Sequence, residues 1–376
     1  MKLVTYKADH GPRVGLLEDG EIVDVGFTGD MVAFIEAGAP VGERTAVAAG
    51  SLLAPLRPRS LRDFLTFKGH LDNVMPRLGR DIAAEWFDVP AYYKGMPDTV
   101  IGPDDEIPWP AYTDRLDHEL EIAAVIGKTG KDIRAEDAMA HVFGWTIWND
   151  MSARDTQMRE LPIGMGPAKA KDWDGSNVLG PCIVTADELD GTNVRMAVRV
   201  NGETWGEDSS GHMHHTFADL IAYASQSQTL YAGDVLGSGT AAGGSGVELD
   251  RWLREGDVVE LEIEGIGVLR HRIGRKGDDH GIRRDGKVDC NEGEEDAVLA
   301  AVQALTLLSR AEPGCRFYQP NRDPENPRAF FFYEIYDDEA AYKAHGESAH
   351  FAEHGFGDAI PRLEGRERIF YTTVDA

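Results

Sequence analysis

Up to about residue 272 the apolar positions fall in short runs. Most of these runs are interleaved with polar residues and bounded by Gly, Pro, Asn or Asp. A period of two predicts strands. "LVTY", "RVGLL" and "EIVDV" read as a small N-terminal β module over residues 1–58, with Asp19-Gly20 as a hairpin turn and the Pro-rich "LAPLRPRS" closing it. Further strands are predicted at "ELEIAAVIG", "GWTIWND", "PCIVTADE", "VRMAVRVNGE" and "DVVELEIEGIGVLRHRI". Asn201-Gly202 marks a second hairpin. "HTFADLIAYASQS" is the best helix of this region, with Leu220 and Ile221 facing a core. Residues 59–272 should therefore form a mostly β domain with few helices.

A charged, Gly-rich stretch at 273–284 reads as a linker. Beyond it the pattern changes. A strand "KVDC" precedes a helix "EEDAVLAAVQALTLLSR" with apolar residues at helical spacing. Strands "CRFYQ" and "RAFFFYEIY", a helix "DEAAYKAHGESAHFAEH" and a strand "RERIFYTTV" follow. This β-α-β-β-α-β order predicts an α+β ferredoxin-like domain over 285–376. There is no internal repeat.

One strand carries a contradiction. In "LDHELEIAAVIGK", residues 116–128, Glu119 and Glu121 point to one face, while Leu120, Ile122 and Val125 are apolar enough for a core. Like charges that close repel, and burying either alone is costly. Either something positive sits between them or the face is wet, as sheet faces often are. Asp63 in "LRDFLTFKGH" and Asp150 at the end of "GWTIWND" add two carboxylates. Oxygen donors without cysteine suit Mg²⁺, Mn²⁺ or Ca²⁺ better than zinc. "NDMSARDTQ" then brings Ser152, Arg154 and Gln157 at turn-like spacing, and Lys171 follows in "AKAKDWDGSNVLGP". Arg154 offers a fixed fork of donors for a carboxylate or oxyanion, and Lys171 a point charge. Taken singly, each reads more readily as an ordinary surface cation.

Charge narrows the partners. Lys plus Arg number 38 against 65 Asp plus Glu, a formal charge of −27. Such a surface repels nucleic acid and anionic membranes, so neither is expected as a partner, and a small-molecule substrate is. No apolar run reaches membrane-spanning length, and "MKLVTYKADHG" lacks the apolar stretch of a signal peptide. Cys182, Cys290 and Cys315 form no C-x-x-C pair, which suits a reducing cytoplasm. "GSGTAAGGSG" lacks the G-K-[ST] ending of a phosphate loop. The spacing of His212, His214 and His215 matches no zinc pattern, so "GHMHHTF" reads as a loop.

The stretches "DFLTFKGH", "LDHELEIAAVIGK", "GWTIWNDMSARDTQ", "AKDWDGSNVLGP" and "LYAGDVLGSGT" occur in that order, and together they resemble the fumarylacetoacetate hydrolase superfamily over roughly residues 58–272. The resemblance implies a rolled mixed β structure. It implies metal ligands at Asp63, Glu119, Glu121 and Asp150, with Mg²⁺ as the expected ion and Ca²⁺ or Mn²⁺ as alternatives. It implies a base, His70, held by Glu248. Arg154, Gln157 and Lys171 would bind the substrate carboxylate and the developing oxyanion, and Tyr93 and Thr240 would contact substrate. The expected reaction is hydrolysis of a C–C bond in a β-diketo acid, of the fumarylacetoacetate or acylpyruvate type, by water that the His–Glu pair activates. The alternative is decarboxylation or tautomerisation of an oxo acid such as oxaloacetate at the same metal. Ala170 departs from the Gly usual before the family's active-site Lys, and "AAGGSG" after Thr240 lacks the usual Pro.

"RAEPGCRFYQPNRD", "RAFFFYEIYDDEAAYKAH" and "AHFAEH" resemble the antibiotic biosynthesis monooxygenase superfamily of ferredoxin-like domains. This implies either cofactor-free oxygenation or a dimerisation module, and a homodimer or higher homo-oligomer. His350 and His354 lie one helical turn apart. That spacing could ligate a metal, but with no carboxylate partner evident in the sequence they are expected to be structural.

Overall fold

The structure, a computed structural model, describes residues 1–47, 50–103, 105–276 and 282–371. It separates into two compact units, Met1–Lys276 and Gly277–Ala376.

The first unit is built on a mixed sheet of twelve strands. Asn177–Thr185, Val142–Asp150, Leu120–Ile126, Asp234–Gly237, Ser60–Phe64 and Tyr92–Gly95 are neighbours in that order. Every residue of Leu120–Ile126 is buried, which explains its near-continuous apolar run: both faces are covered. Ile122, Ala124 and Ile126 join one core with Ile147 and Leu236. Ala123 and Val125 join another with Leu61, Trp148 and Val235. Glu121 shares the parity of this second face.

The first 58 residues do not stand apart as a module. Lys2–Ala8 pairs antiparallel with Asn177–Thr185 and extends the main sheet. The physical reason is a shared core, since Leu3, Val14, Leu16 and Val25 pack with Leu179 and Ile183. Both hairpin turns form where Asn or Asp precedes Gly. φ is positive at Asp19 and Gly20, and at Asn201 and Gly202, as this turn requires. The expected helix is Phe217–Ala224. The Thr216 hydroxyl accepts the Asp219 N–H, the Asp219 carboxylate accepts the Thr216 N–H, and Phe217, Leu220, Ile221 and Ala224 are buried.

The second unit has the ferredoxin-like arrangement. Its antiparallel sheet runs Cys315–Arg322, Ala329–Tyr336, Ile282–Cys290, Leu363–Tyr371. Helix Glu295–Ser309 contributes Val298, Val302 and Leu305 to a core with Val288, Phe330 and Phe332. Of the expected linker, residues 273–276 complete the strand Gly267–Lys276 and residues 282–284 begin the next, while 277–281 lie outside the described residues. The last residues of "RERIFYTTV" also lie outside them. The single helix expected from Asp338 to His354 is broken. Glu339–Glu347 ends at Ser348, where ψ is 150°, and a second helix occupies Phe351–Ala359. Ser348 makes the break. Its hydroxyl donates to the His345 carbonyl and accepts the Phe351 N–H. Among the described residues, no helix is long and apolar enough to cross a membrane.

Candidate metal centre and active site

The four carboxylates singled out by the sequence meet at the centre of the main sheet. Asp63 comes from Ser60–Phe64, Glu121 from Leu120–Ile126, and Asp150 from the end of Val142–Asp150. Glu119 precedes its strand and is fixed there, its N–H donating to Asn149 Oδ1 at 3.0 Å. One oxygen from each of Asp63, Glu119, Glu121 and Asp150 lies within 4.8 Å of all the others, and all four residues are buried. Gly237 lets its strand pass close by, since a Cβ there would stand 2.5 Å from Glu121 Oε2.

Two cations reach this cluster. Lys171 Nζ donates to Glu119 Oε2 at 2.6 Å and to Asp150 Oδ2 at 2.5 Å. Arg154 Nη2 lies 2.6 Å from Glu119 Oε1. Burial works against ionising Glu119, but Lys171 and Arg154 outweigh it and hold the carboxyl well below its ordinary value. Asp63 and Glu121 have no ion pair with a cation among the described residues. Burial, with Asp150 alongside, pushes Asp63 well above the usual carboxylate range. Burial, with Asp63 and Asp150 beside it, does the same to Glu121. Burial raises Asp150 to about 6, with Lys171 pulling the other way.

This charge imbalance fits a divalent ion. Asp63 Oδ1, Glu121 Oε1 and Asp150 Oδ1 are buried with no hydrogen-bond partner. Buried polar atoms seldom stay unpaired, and three orphan oxygens in one cluster form the donor set of a hard cation. The residues present therefore fit a metal held by Asp63, Glu119, Glu121 and Asp150.

A His–carboxylate pair is built from a different part of the fold. His70 lies on the short helix Lys68–Val74, and its Nδ1 is 2.8 Å from Glu248 Oε1. Glu248 also accepts from Ser245 Oγ, Asn73 Nδ2 and the Gly243 N–H. Burial raises its carboxyl, yet these donors, His70 first, bring it below its usual value. An ionised carboxylate so fixed holds His70 with Nδ1 engaged and Nε2 as the ring atom left for proton transfer.

Residues 60–274 match the family model described as Fumarylacetoacetate (FAA) hydrolase C-terminal. The chain belongs to the fumarylacetoacetate hydrolase family. Residues 282–354 match the Antibiotic biosynthesis monooxygenase model. Among curated relatives, Oxaloacetate tautomerase FAHD2A, mitochondrial, of Homo sapiens is 35% identical over 294 residues, covering 73% of this chain and 91% of that one. Oxaloacetate tautomerase YisK of Bacillus subtilis (strain 168) is 37% identical over 188 residues, 49% of this chain and 61% of that one. Among solved structures, a fumarylacetoacetate hydrolase from psychrophilic Exiguobacterium antarcticum superposes with a TM-score of 0.63 at 30% identity, covering 73% of this chain and all of that one. The chain is thus an enzyme of the fumarylacetoacetate hydrolase family, with a second domain fused behind it.

Within this family member some expected groups sit differently. Arg154 is 4% exposed. Besides Glu119, its Nε donates to Asp117 Oδ2 at 2.8 Å and its Nη1 to Gln157 Oε1 at 3.0 Å. These contacts tie it to Glu119, and Gln157 holds it from the other side. The Tyr93 hydroxyl donates to Asp150 Oδ2 at 2.7 Å. Thr240 is buried beside Gly239, whose N–H reaches Glu121 Oε2 at 3.3 Å. His214 and His215 contact the backbone carbonyls of Phe87 and Trp86. Asp117 is the group that sequence reasoning missed. It takes Arg154 together with the Gly246 and Val247 N–H groups. The signal was present, because Asp117, Glu119 and Glu121 share one parity.

Proposed function

We propose that the first unit catalyses keto–enol tautomerisation of a small dicarboxylic oxo acid of the oxaloacetate type, in place of the C–C hydrolysis expected from sequence. The observation that carries this reading is the set of three unpaired carboxylate oxygens gathered in one cluster. Tautomerisation is chosen among the enolate reactions because relatives matching across 73% of this chain are named oxaloacetate tautomerases.

When bound, a divalent ion supplies electrophilic stabilisation of an enolate oxygen. The chain's own residues do the rest. His70 Nε2 takes the proton from the carbon next to the carbonyl, and Glu248 stabilises the imidazolium this creates. The proton returns to the enolate oxygen, so no atom is lost. Lys171 keeps Glu119 and Asp150 ionised as ligands, and the Arg154–Asp117 brace keeps Glu119 in place. Hydrolysis would use the same base on water, and the structural match to a protein named a fumarylacetoacetate hydrolase keeps it as the second reading.

The test is product analysis with the full chain. Enolic oxaloacetate should convert to the keto form faster with protein and Mg²⁺, with mass conserved and EDTA abolishing the effect. His70→Ala should slow it by about 10²–10⁴-fold while Mg²⁺ binding survives. Cleavage of an acylpyruvate into two acids, with no acceleration of oxaloacetate tautomerisation, would replace the proposal with hydrolysis. Release of CO₂ would replace it with decarboxylation.

A further inference from the structure

The second unit holds a cluster that neither family match assigns. Glu312 lies in the turn after helix Glu295–Ser309, His345 on helix Glu339–Glu347, and His350 at the start of Phe351–Ala359. His345 Nδ1 is 3.0 and 2.9 Å from the two Glu312 oxygens, and His350 Nε2 is 2.5 Å from Oε1. One ligand atom from each of the three lies within 4.8 Å of the other two. This corrects the expectation for the pair His350 and His354. His350 faces His345 across the break at Ser348, and both reach Glu312. The carboxylate partner that was not evident in the sequence comes from Glu312, 33 residues before His345 in the chain.

We infer that Glu312, His345 and His350 form a second metal site, for a divalent transition ion of the zinc or iron class. Two imidazoles and one carboxylate are the donors such ions prefer, and a hard oxygen-seeking ion such as Mg²⁺ is poorly served by them. The spacing is close to what is needed. Metal–nitrogen bonds of about 2.0–2.1 Å place tetrahedral ligand atoms roughly 3.3 Å apart, so to accept the ion His345 moves from Glu312 by a few tenths of an ångström and His350 by about 0.8 Å. His345 has 1% of its side chain exposed and is packed against the rings of Tyr318, Tyr336 and Phe351. His345 Nε2 is buried without a hydrogen-bond partner, so Nδ1 is the ring atom held by a polar group. His350 and Glu312 are partly exposed, at 20% and 13% of their side chains. The ion therefore has an entry path, and three protein ligands leave a position for water or a small ligand.

The experiment uses the full chain, stripped with chelator and then held in excess Mg²⁺ so that the carboxylate centre of the first unit is filled. Zn²⁺ is added and bound metal is measured after gel filtration. The expected result is one retained zinc per chain, with affinity falling more than about tenfold in Glu312→Gln and in His350→Ala, each checked for native fold by circular dichroism. Crystals grown with zinc give a reading that no variant's folding can spoil, an anomalous peak between Glu312, His345 and His350. No retained zinc, zinc retained equally by both folded variants, or no peak at the three residues would overturn the inference. The cluster would then be a hydrogen-bonded clasp only.

Discussion

Arg284 and Glu334 in the second unit are both buried, and they answer one another. Arg284 Nη1 donates to both Glu334 oxygens at 2.7 Å, and the Tyr336 hydroxyl adds a donor at 3.1 Å. In the first unit Asp63 and Glu121 are as deeply buried, yet neither has a cation partner among the described residues. Taking an ion out of water costs several kcal/mol even after relaxation. A matched pair offsets that cost internally and needs nothing from outside. An unmatched pair of carboxylates is tolerable only if it is protonated or if a ligand brings the missing charge. The two units thus separate two uses of buried charge, one closing a core and one creating demand for a cation.

The largest effect should come from breaking the matched pair. Arg284→Met leaves the Glu334 carboxylate buried and uncompensated, and should destabilise the second unit by about 3–5 kcal/mol. The double change Arg284→Met, Glu334→Leu should recover most of that loss, because two apolar residues of similar size leave no orphan charge. Activity of the first unit should not change. Denaturant unfolding followed by calorimetry and by the tautomerase assay reads both. A double variant no more stable than the single one would mean that Arg284 acts through packing, not through its charge.

The opposite response is expected at the unmatched site. Glu121→Gln removes a carboxyl whose ionisation burial and its acidic neighbours oppose. The metal-free protein should become more stable, and activity with Mg²⁺ should fall by about 10²–10³-fold. Thermal melts with and without Mg²⁺ provide the check, since Mg²⁺ should raise the melting temperature of the unaltered chain and not that of Glu121→Gln. An equal rise in both would place the metal elsewhere.

Much of this was legible before any fold was known, for reasons that differ by residue. Glu119 and Glu121 announce themselves because a period-two pattern fixes their face, and a buried strand bearing acids contradicts itself. Asp19-Gly20 and Asn201-Gly202 announce turns because few other pairs accept positive φ. What sequence hides is the long-range partner. Nothing local to Arg154 says that its fork reaches Asp117, Glu119 and Gln157. Nothing local to His350 says that Glu312 lies 2.5 Å away. The helix break at Ser348 was missed for a related reason: apolar residues keep helical spacing across it, and only the Ser348 hydroxyl's bonds to the His345 carbonyl and the Phe351 N–H reveal that the backbone turns there. The N-terminal strands read as a module because their edge pairing with Asn177–Thr185 spans more than 170 residues of sequence.

A third way of burying an ionisable group lies behind the metal centre, and it has the smallest expected effect. His271 is 1% exposed, and its Nε2 sits 2.7 Å from Asn149 Nδ2, so the ring accepts from the amide and is neutral. Asn149 in turn fixes the Glu119 N–H. Burial, with His118 and Arg270 adding to it, pushes His271 down to about 3. The folded chain therefore refuses a proton that the unfolded chain takes near pH 6.5. The stability this confers is fully present above about pH 6.5. It is lost as pH falls toward 3, at roughly 1.4 kcal/mol per unit. His271→Gln, which cannot titrate, should lose less stability between pH 7.5 and 5.5 than the unaltered chain, by about 1.4 kcal/mol. His118 is shifted in the same direction and is present in both proteins. Parallel slopes for the two proteins would mean that His271 takes its proton in the folded chain over the same pH range as in the unfolded one. Its ring would then donate to Asn149, reverse that amide, and withdraw the oxygen that now holds the Glu119 N–H.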